Sequence, residues 1–372
     1  MKFLFIVQGE GRGHMTQAMV IGELLLKQGH EIGAVVLGSS TRRRVPDYFL
    51  DAFPCPIHRI QSPNFVTDKA NKAIKMGATL WDNLKKLPRY TASIRKLDQV
   101  VVAEKPDCVL NFYDMLGGIY AMIYPYRSSF VVIGHQYLIY HTDFTFAQPG
   151  GIQKQLFKLN TKITCWNASK IIALSLWKPE RMSAVKNFSV WPPMVRKSVR
   201  TALPYSGDFF LVYIVNSGYA REIFELAKNF PDITIVAFWD AGEMPQKYQP
   251  LANLTFHQID DRLFIEKLSQ CKAYLSTAGF ESIAEAMYLR KKTLMVPVEG
   301  QYEQQCNALD AQKSGAGLGA KNFDPQLLAQ LTDSYSSSAD SFEQFTEWQH
   351  SLESCFAEWM QEMQDSKTPV AK

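Results

Sequence analysis

The sequence predicts an α/β protein made of two tandem doubly wound domains that face a central cleft. Three observations predict it. Short apolar, β-rich runs alternate with helical patterns along most of the chain, as parallel βαβ units do. The length, 372 residues, suits two domains better than one. A Pro-rich, basic stretch, WPPMVRKSVRTALP at 191–204, separates two such series and reads as the linker between them.

In the first series the strand candidates are residues 3–7, 32–37, 108–112, 130–133 and 171–174. A helix is expected from about residue 15 to 28, with His14, Ala18, Ile21 and Leu25 on its buried stripe and Gly29 as its stop. The second series offers strands at 209–215, 233–238, 254–258, 273–276 and 293–298, and residues 340–361 are helical in pattern and acidic. The expected domains are 1–195 and 196–338, with a final helix over 339–365 packing back towards the first domain. No repeat of fixed short period interrupts this organisation. In such folds, ligands bind where strand-to-helix loops and helix N-termini meet beyond the carboxyl ends of the strands.

Hydrophobic residues at 47% and charged residues at 20% exclude a disordered or fibrous chain. No run of about 18 apolar residues predicts a transmembrane helix. The opening apolar run, Phe3 to Val7, is short for a signal peptide and reads as a buried strand, so a cytoplasmic protein is expected. Six cysteines without a CxxC pair read as reduced thiols.

The net charge of +4 hides an asymmetry. Residues 1–200 hold 27 Lys/Arg against 13 Asp/Glu, and residues 201–372 hold 13 against 23, giving +14 and −10. Either the basic half faces something anionic, or it is an ordinary solvated surface. Nucleic acid fits poorly, since no groove-reading motif or aromatic-basic repeat occurs. Residues 59–105 carry ten basic side chains (Arg59, Lys69, Lys72, Lys75, Lys85, Lys86, Arg89, Arg95, Lys96 and Lys105) against Asp68, Asp82, Asp98 and Glu104. Ile74, Met76, Leu80, Trp81, Leu84 and Leu87 are interleaved with them, as an interfacial helix at the inner face of a membrane requires; two soluble helices with a solvated face are the alternative.

Gly9-Glu10-Gly11-Arg12-Gly13-His14 follows the first strand and opens the first helix, where glycines let a ligand approach the backbone. His14 stands where a dinucleotide fingerprint needs its third glycine, and the second strand ends Val36-Leu37-Gly38 without a carboxylate for a ribose, which disfavours NAD. At a helix mouth, a neutral imidazole can take a proton from an acceptor hydroxyl; a packed or capping histidine is the other reading of His14.

Ser276-Thr277-Ala278-Gly279-Phe280-Glu281-Ser282 runs from a strand end into a helix and presents backbone N–H groups suited to a diphosphate. Glu281 and Glu285 lie four apart on one helix face, and Glu285 can accept from two ribose hydroxyls or pair with a nearby Lys or Arg. Glu303 and Gln304 follow the Pro297 strand end and can grip a pair of hydroxyls, or be ordinary surface.

GEGRGH together with STAGFESIAEAMYLRKKTLMVPVEGQYEQQCNA resembles the GT-B glycosyltransferases. The most similar branch holds the peptidoglycan lipid-intermediate N-acetylglucosaminyltransferase, diacylglycerol glycosyltransferases and nucleotide-sugar glucosyl/glucuronosyltransferases. The second motif covers residues 276–308, and the architecture fits across roughly 1–365. The resemblance implies transfer of a sugar from a nucleotide diphosphate-sugar, a uridine one first, to an acceptor hydroxyl. The donor would sit on the C-terminal domain and the acceptor on the N-terminal one. It implies His14 as base, Glu285 on the donor ribose, Glu303 and Gln304 on the donor sugar, and Asn216, Ser217 and Gly218 near the donor phosphates. Thr277 to Ser282 complete the donor side. Gly11, Gly13, His135 and Gln136 form the acceptor side, though Gln136 replaces a glutamate of the family's HEQN segment. Gln17 stands where a proline is usual, which leaves the acceptor class open, and the branch implies a lipid-linked or anionic acceptor. No DxD motif follows a strand, and Asp260-Asp261 lacks that pattern, so neither metal nor cofactor is expected. The alternatives are a nucleotide-sugar hydrolase or epimerase of the same fold, and a non-enzymatic nucleotide-sugar binding protein.

Overall fold

The computed structural model describes residues 1–39, 45–63, 76–124, 128–181, 183, 185–214, 217–242, 244–333 and 339–365. Two seven-stranded sheets form among them. The first contains β1 (Lys2–Gln8), β2 (Glu31–Gly38), β3 (Ile57–Ile60), β4 (Cys108–Phe112), β5 (Ser129–Gly134), β6 (Lys170–Leu174) and β7 (Phe188–Trp191). Their order is β3-β2-β1-β4-β5-β6-β7, and every neighbouring pair is parallel. The second contains β8 (Phe209–Ile214), β9 (Thr234–Trp239), β10 (Lys247–Leu251), β11 (Leu254–Gln258), β12 (Ala273–Ser276), β13 (Thr293–Met295) and β14 (Gly317–Gly319). Their order is β10-β11-β9-β8-β12-β13-β14, with only the β10–β11 pair antiparallel.

β1 is apolar without alternation because it lies between layers: Phe3, Leu4, Phe5, Ile6 and Val7 are all fully buried. The chain reverses its direction of growth between β1 and β4 and again between β8 and β12. The loops after these strands therefore open into crevices, one per sheet.

The ten strands expected from sequence are present, with ends shifted by a residue or so; the last stops at Met295 because the chain turns away at Pro297. β3, β7, β10 and β14 were not expected, and they are the four outermost strands of the two sheets. Each pairs on one side only and spans three to five residues, so none needs the apolar run that marks a central strand.

The segment at 191–204 crosses between the sheets but is not a solvated linker. Trp191 ends β7, Lys197–Arg200 is a short helix, and Met194, Val195, Arg196 and Val199 are buried. Val195 and Val199 pack with Leu211, Phe238 and Leu268 beneath the second sheet. The final helices, Ala339–His350 and Leu352–Asp365, return to the first sheet. Trp359 packs against Phe3 and Trp191 at ring separations of 6.2 and 6.0 Å, and Trp348 Nε1 donates to the Ser175 carbonyl at 2.9 Å. One continuous core joins Phe3, Met15 and Ala18 to Phe280, Ile283 and Met287, so the halves of the chain are packed together where the crevices face each other.

Candidate active site

The facing crevices enclose a cleft of about 550 Å³. The loop after β1, the start of the helix Arg12–Lys27, the loop after β12 and the start of the helix Phe280–Tyr288 all line it.

The glycine loop is shaped by close approaches. The Gly9 N–H donates to the Gly38 carbonyl at 2.7 Å, and a Cβ at Gly9 would stand 2.9 Å from that oxygen. A Cβ at Gly13 would collide with the Glu281 carboxylate of the second half. Gly9 is confined by backbone and needs glycine for space, whereas a side chain at Gly13 would have to push the Glu281 carboxylate aside.

His14 is 8% exposed and lines the cleft. Its ring stacks on Tyr113, with centroids 5.5 Å apart and planes 20° apart. Nδ1 lies 3.3 Å from Gln17 Oε1, and Nε2 lies 3.2 Å from Gln136 Nε2. Burial holds the His14 imidazole below its usual range, only partly opposed by Glu281 and Glu303. Burial there favours the uncharged form of the ring.

His135, the first residue after β5, stacks face to face on Phe280 at 4.5 Å. Its Nε2 lies 3.2 Å from a Glu303 carboxylate oxygen, within ion-pair range. Burial by itself would lower His135, but Glu303 and Glu281 outweigh burial and raise it. Burial likewise pushes Glu303 up, and His135 against it more than reverses that and holds it low. The two histidines, side by side, are thus poised oppositely.

On the opposite wall the turn into the helix Phe280–Tyr288 is strained. Ala278 takes a left-handed backbone, φ +59°, although it has a side chain. Asn307 Nδ2 donates to its carbonyl at 3.1 Å, and the Ala278 N–H donates to Ser276 Oγ at 3.2 Å. Gly279 to Ser282, which open the helix, line the cleft, and the N–H groups of a first helical turn have no partner within the helix. Gln304 Oε1 accepts from the Val298 N–H at 2.8 Å, which fixes the amide and leaves its Nε2 end for a ligand. Glu285 is buried and accepts from Arg196 Nε at 2.6 Å and Nη2 at 2.8 Å, while Arg196 Nη1 pairs with Asp261. Of the alternatives for Glu285, pairing with a basic residue occurs, but in the interior. Arg12 enters the same cleft: burial would lower its guanidinium, but Tyr213, Tyr48, Asp240 and Asp261 around it raise it.

The cleft gathers Gly11, Gly13, His14, His135, Thr277, Ala278, Gly279, Phe280, Glu281, Ser282, Glu285, Glu303 and Gln304 from the expected set. Gln136 stands behind this wall and reaches His14 and Glu303 by hydrogen bonds. Asn216 lies outside the described residues; Ser217 opens the 3-10 turn Ser217–Tyr219, and Gly218 is not among the residues lining the cleft. Arg12, Gln17, Tyr113, Arg196 and Asp261 belong to the site or its support without having been singled out for those roles. Tyr113 carries a local signal, a β-strand end followed by the capping Asp114, but Arg196 lay inside the supposed linker.

Among the described residues, no three His, Cys, Asp or Glu side chains come together as metal ligands would. No described helix is long and apolar enough to cross a membrane. Of the basic, apolar stretch at 59–105, the helix Met76–Lys85 and its successor Leu87–Glu104 expose Trp81, Leu84 and Leu87 by 61, 57 and 52%. Lys69, Lys72, Ile74 and Lys75 lie outside the described residues, as do the side chains of Met76 and Leu80.

Comparison with known proteins places this geometry. The model of the family described as glycosyl transferase family 1 matches residues 1–334. An uncharacterized glycosyltransferase of Methanosarcina acetivorans is 24% identical over 340 residues, 85% of this chain and 83% of that protein. The crystal structure of CalG4, the calicheamicin glycosyltransferase, superposes with a TM-score of 0.62 at 15% identity, covering 100% of this chain and 99% of the other. Phytolacca americana UGT2, complexed with UDP-2-fluoro-glucose and pterostilbene, superposes with a TM-score of 0.60 at 12% identity, covering 98% and 99%. With two facing α/β halves, a glycine loop ending in a buried histidine and a family match over nearly the whole chain, this protein belongs to glycosyl transferase family 1 and is a glycosyltransferase of the GT-B fold.

Proposed function

We propose that the protein transfers a sugar from a uridine diphosphate-sugar to an acceptor hydroxyl, with His14 as general base and without a metal. The observation that carries this reading is a buried His14, in surroundings that favour its uncharged form, sharing one cleft with a helix N-terminus and the Glu303–Gln304 pair. The donor diphosphate would lie on the N–H groups that open the helix Phe280–Tyr288, with Arg12 opposite, so that helix dipole and guanidinium meet the charge that develops on the leaving group. Gln304 Nε2 and Glu303 would hold sugar hydroxyls, and Glu285, still able to accept through free lone pairs, the ribose. As the acceptor oxygen bonds to the anomeric carbon, its proton passes to His14 Nε2. The bond from that carbon to the diphosphate breaks, and its electron pair leaves with the phosphate. The uridine donor is favoured by the likeness to UGT2, which was crystallised with a UDP-sugar analogue.

The acceptor wall supports a lipid-linked or anionic acceptor. Leu156, Leu159 and Ile163 of the helix Gly151–Thr164, and Thr79 and Asn83 of the helix Met76–Lys85, line the cleft; those same helices expose Ile152, Leu159, Trp81 and Leu84 to solvent. Lys85 covers Trp81 with its ammonium 5.1 Å from the ring centre. An amphipathic acceptor could pass from a membrane surface into the cleft between them.

Calorimetric titration with UDP-, TDP- and GDP-sugars, followed by product analysis, tests the reading. One nucleotide sugar should bind well above the rest and yield a new glycoside with a suitable acceptor. Free sugar or an epimer as the sole product, or no binding by any donor, would overturn it.

A further inference from the structure

Gln17 is fully buried one turn after His14, where the helix Arg12–Lys27 otherwise packs Met15, Ala18 and Ile21. Packing alone gives no reason for an amide there, yet both of its ends are used. Nε2 donates to Glu281 Oε1, and Oε1 faces His14 Nδ1 at 3.3 Å. An ionised carboxylate only accepts hydrogen bonds, so the Gln17 nitrogen must face Glu281 and the Gln17 oxygen must face His14. His14 Nδ1 must then carry the proton. The other side of the ring gives the same answer by a separate route. Gln136 Nε2 lies 3.1 Å from a Glu303 oxygen, so it too is the donating end of its amide, and its second N–H meets His14 Nε2 at 3.2 Å as an acceptor. Two carboxylates on the C-terminal half thus act through two glutamine amides on the N-terminal half to set one tautomer of one histidine.

We propose that Gln17 is a positioning residue for sugar transfer: it relays the charge of Glu281 to the Nδ1–H of His14, keeping Nε2 unprotonated and steadying the imidazolium that forms when Nε2 takes the acceptor's proton. No proton moves along the relay. The acceptor hydroxyl displaces the Gln136 N–H from Nε2 and its proton stays there, while Nδ1–H remains bonded to Gln17 Oε1. Gln17 belongs to the helix Arg12–Lys27 and Glu281 to the donor-side helix, so the relay crosses between the two halves of the cleft. This inference rests on the reading of His14 as the base.

The test uses the full chain labelled with 15N-histidine, with His14 assigned by its loss in His14→Ala. Wild-type protein should show His14 as the Nδ1–H tautomer, and Gln17→Met should show a mixture. Gln17→Met should lower kcat by about 10-fold or more with donor KM little changed, as expected when a base is no longer held in its tautomer, and Glu281→Gln should lower kcat by a similar factor. The acid limb of kcat/KM should also move to lower pH in Gln17→Met, since the amide and Glu281 both favour the protonated ring. The double variant should lose little more than either single one, because both break the same relay. An Nε2–H tautomer in the wild type, or an unmoved tautomer and kcat in both single variants, would overturn the proposal. If Gln17→Met does not fold, Glu281→Gln answers the same question from the other half. Full activity in His14→Ala would instead reject the base reading, a result that the tautomer signals do not depend on.

Discussion

Arg196 grips both carboxylate oxygens of Glu285, through Nε at 2.6 Å and Nη2 at 2.8 Å, across 89 residues of sequence. The pair is buried at the floor of the cleft, with Asp261 on the remaining guanidinium nitrogen. Removing one member leaves a buried charge without its partner. Arg196→Ala should therefore cost about 3–5 kcal/mol of stability, and Arg196→Ala with Glu285→Ala distinctly less. Urea unfolding of the single and double variants checks this; equal losses in both would show that packing, not charge, dominates there.

His14→Ala should reduce turnover by about 100-fold or more, with donor affinity nearly retained. Burial lowers the imidazole, so the unprotonated base persists into mild acid, and the acid limb of kcat/KM should fall below the ordinary histidine value of 6.5. Initial rates across pH 5 to 8 (about one and a half units either side of that value) decide it.

Asp114 caps the helix Met115–Ile123, accepting from the N–H groups of Leu116 at 2.8 Å and Gly117 at 3.3 Å. Burial nevertheless pushes its carboxyl up to about 6 from its ordinary 3.8. Between those values the folded chain holds a proton that the unfolded chain releases, so this group's contribution falls as pH rises through the window, by about 3 kcal/mol in all. Asparagine caps a helix as well as aspartate does. Asp114→Asn should accordingly stabilise the protein at pH 7.5 more than at pH 4.5, as read from melting temperatures. A gain or loss equal at both values would show that the carboxyl titrates alike in the folded and unfolded chain.

Vesicle sedimentation addresses the exposed Trp81, Leu84 and Leu87 beside Lys85, Lys86 and Arg89. Each basic side chain near an anionic leaflet contributes about 1 kcal/mol, so binding to anionic vesicles should be reversible and weakened by salt. Trp81→Ala with Leu84→Ser should weaken it further. Equal, negligible binding to anionic and neutral vesicles would point to an acceptor free in solution.

Much of this protein is local and therefore legible in its residues. The alternation of apolar runs and helical stripes yields ten of the strands, because a central parallel strand must be apolar along its whole length. Gly9 to His14 and Ser276 to Ser282 declare themselves because a tight strand-to-helix turn demands small residues in consecutive positions. The edge strands β3, β7, β10 and β14 leave no such mark, since a strand paired on one side tolerates polar, exposed residues.

What only the tertiary structure decided is which polar groups meet. Gln17 and Glu281 are 264 residues apart, and Gln136 and Glu303 are 167 apart, and nothing in the residues around any of them specifies the partner. Arg196 looked like one more basic residue in a linker until the second sheet buried it against Glu285. Backbone propensity and hydrophobic period act over a few residues, so sequence alone determined the elements and the two loops. Hydrogen-bond pairing and desolvation act wherever folding brings groups together, so the partners and burial of the site residues were decided by the packing of the two halves.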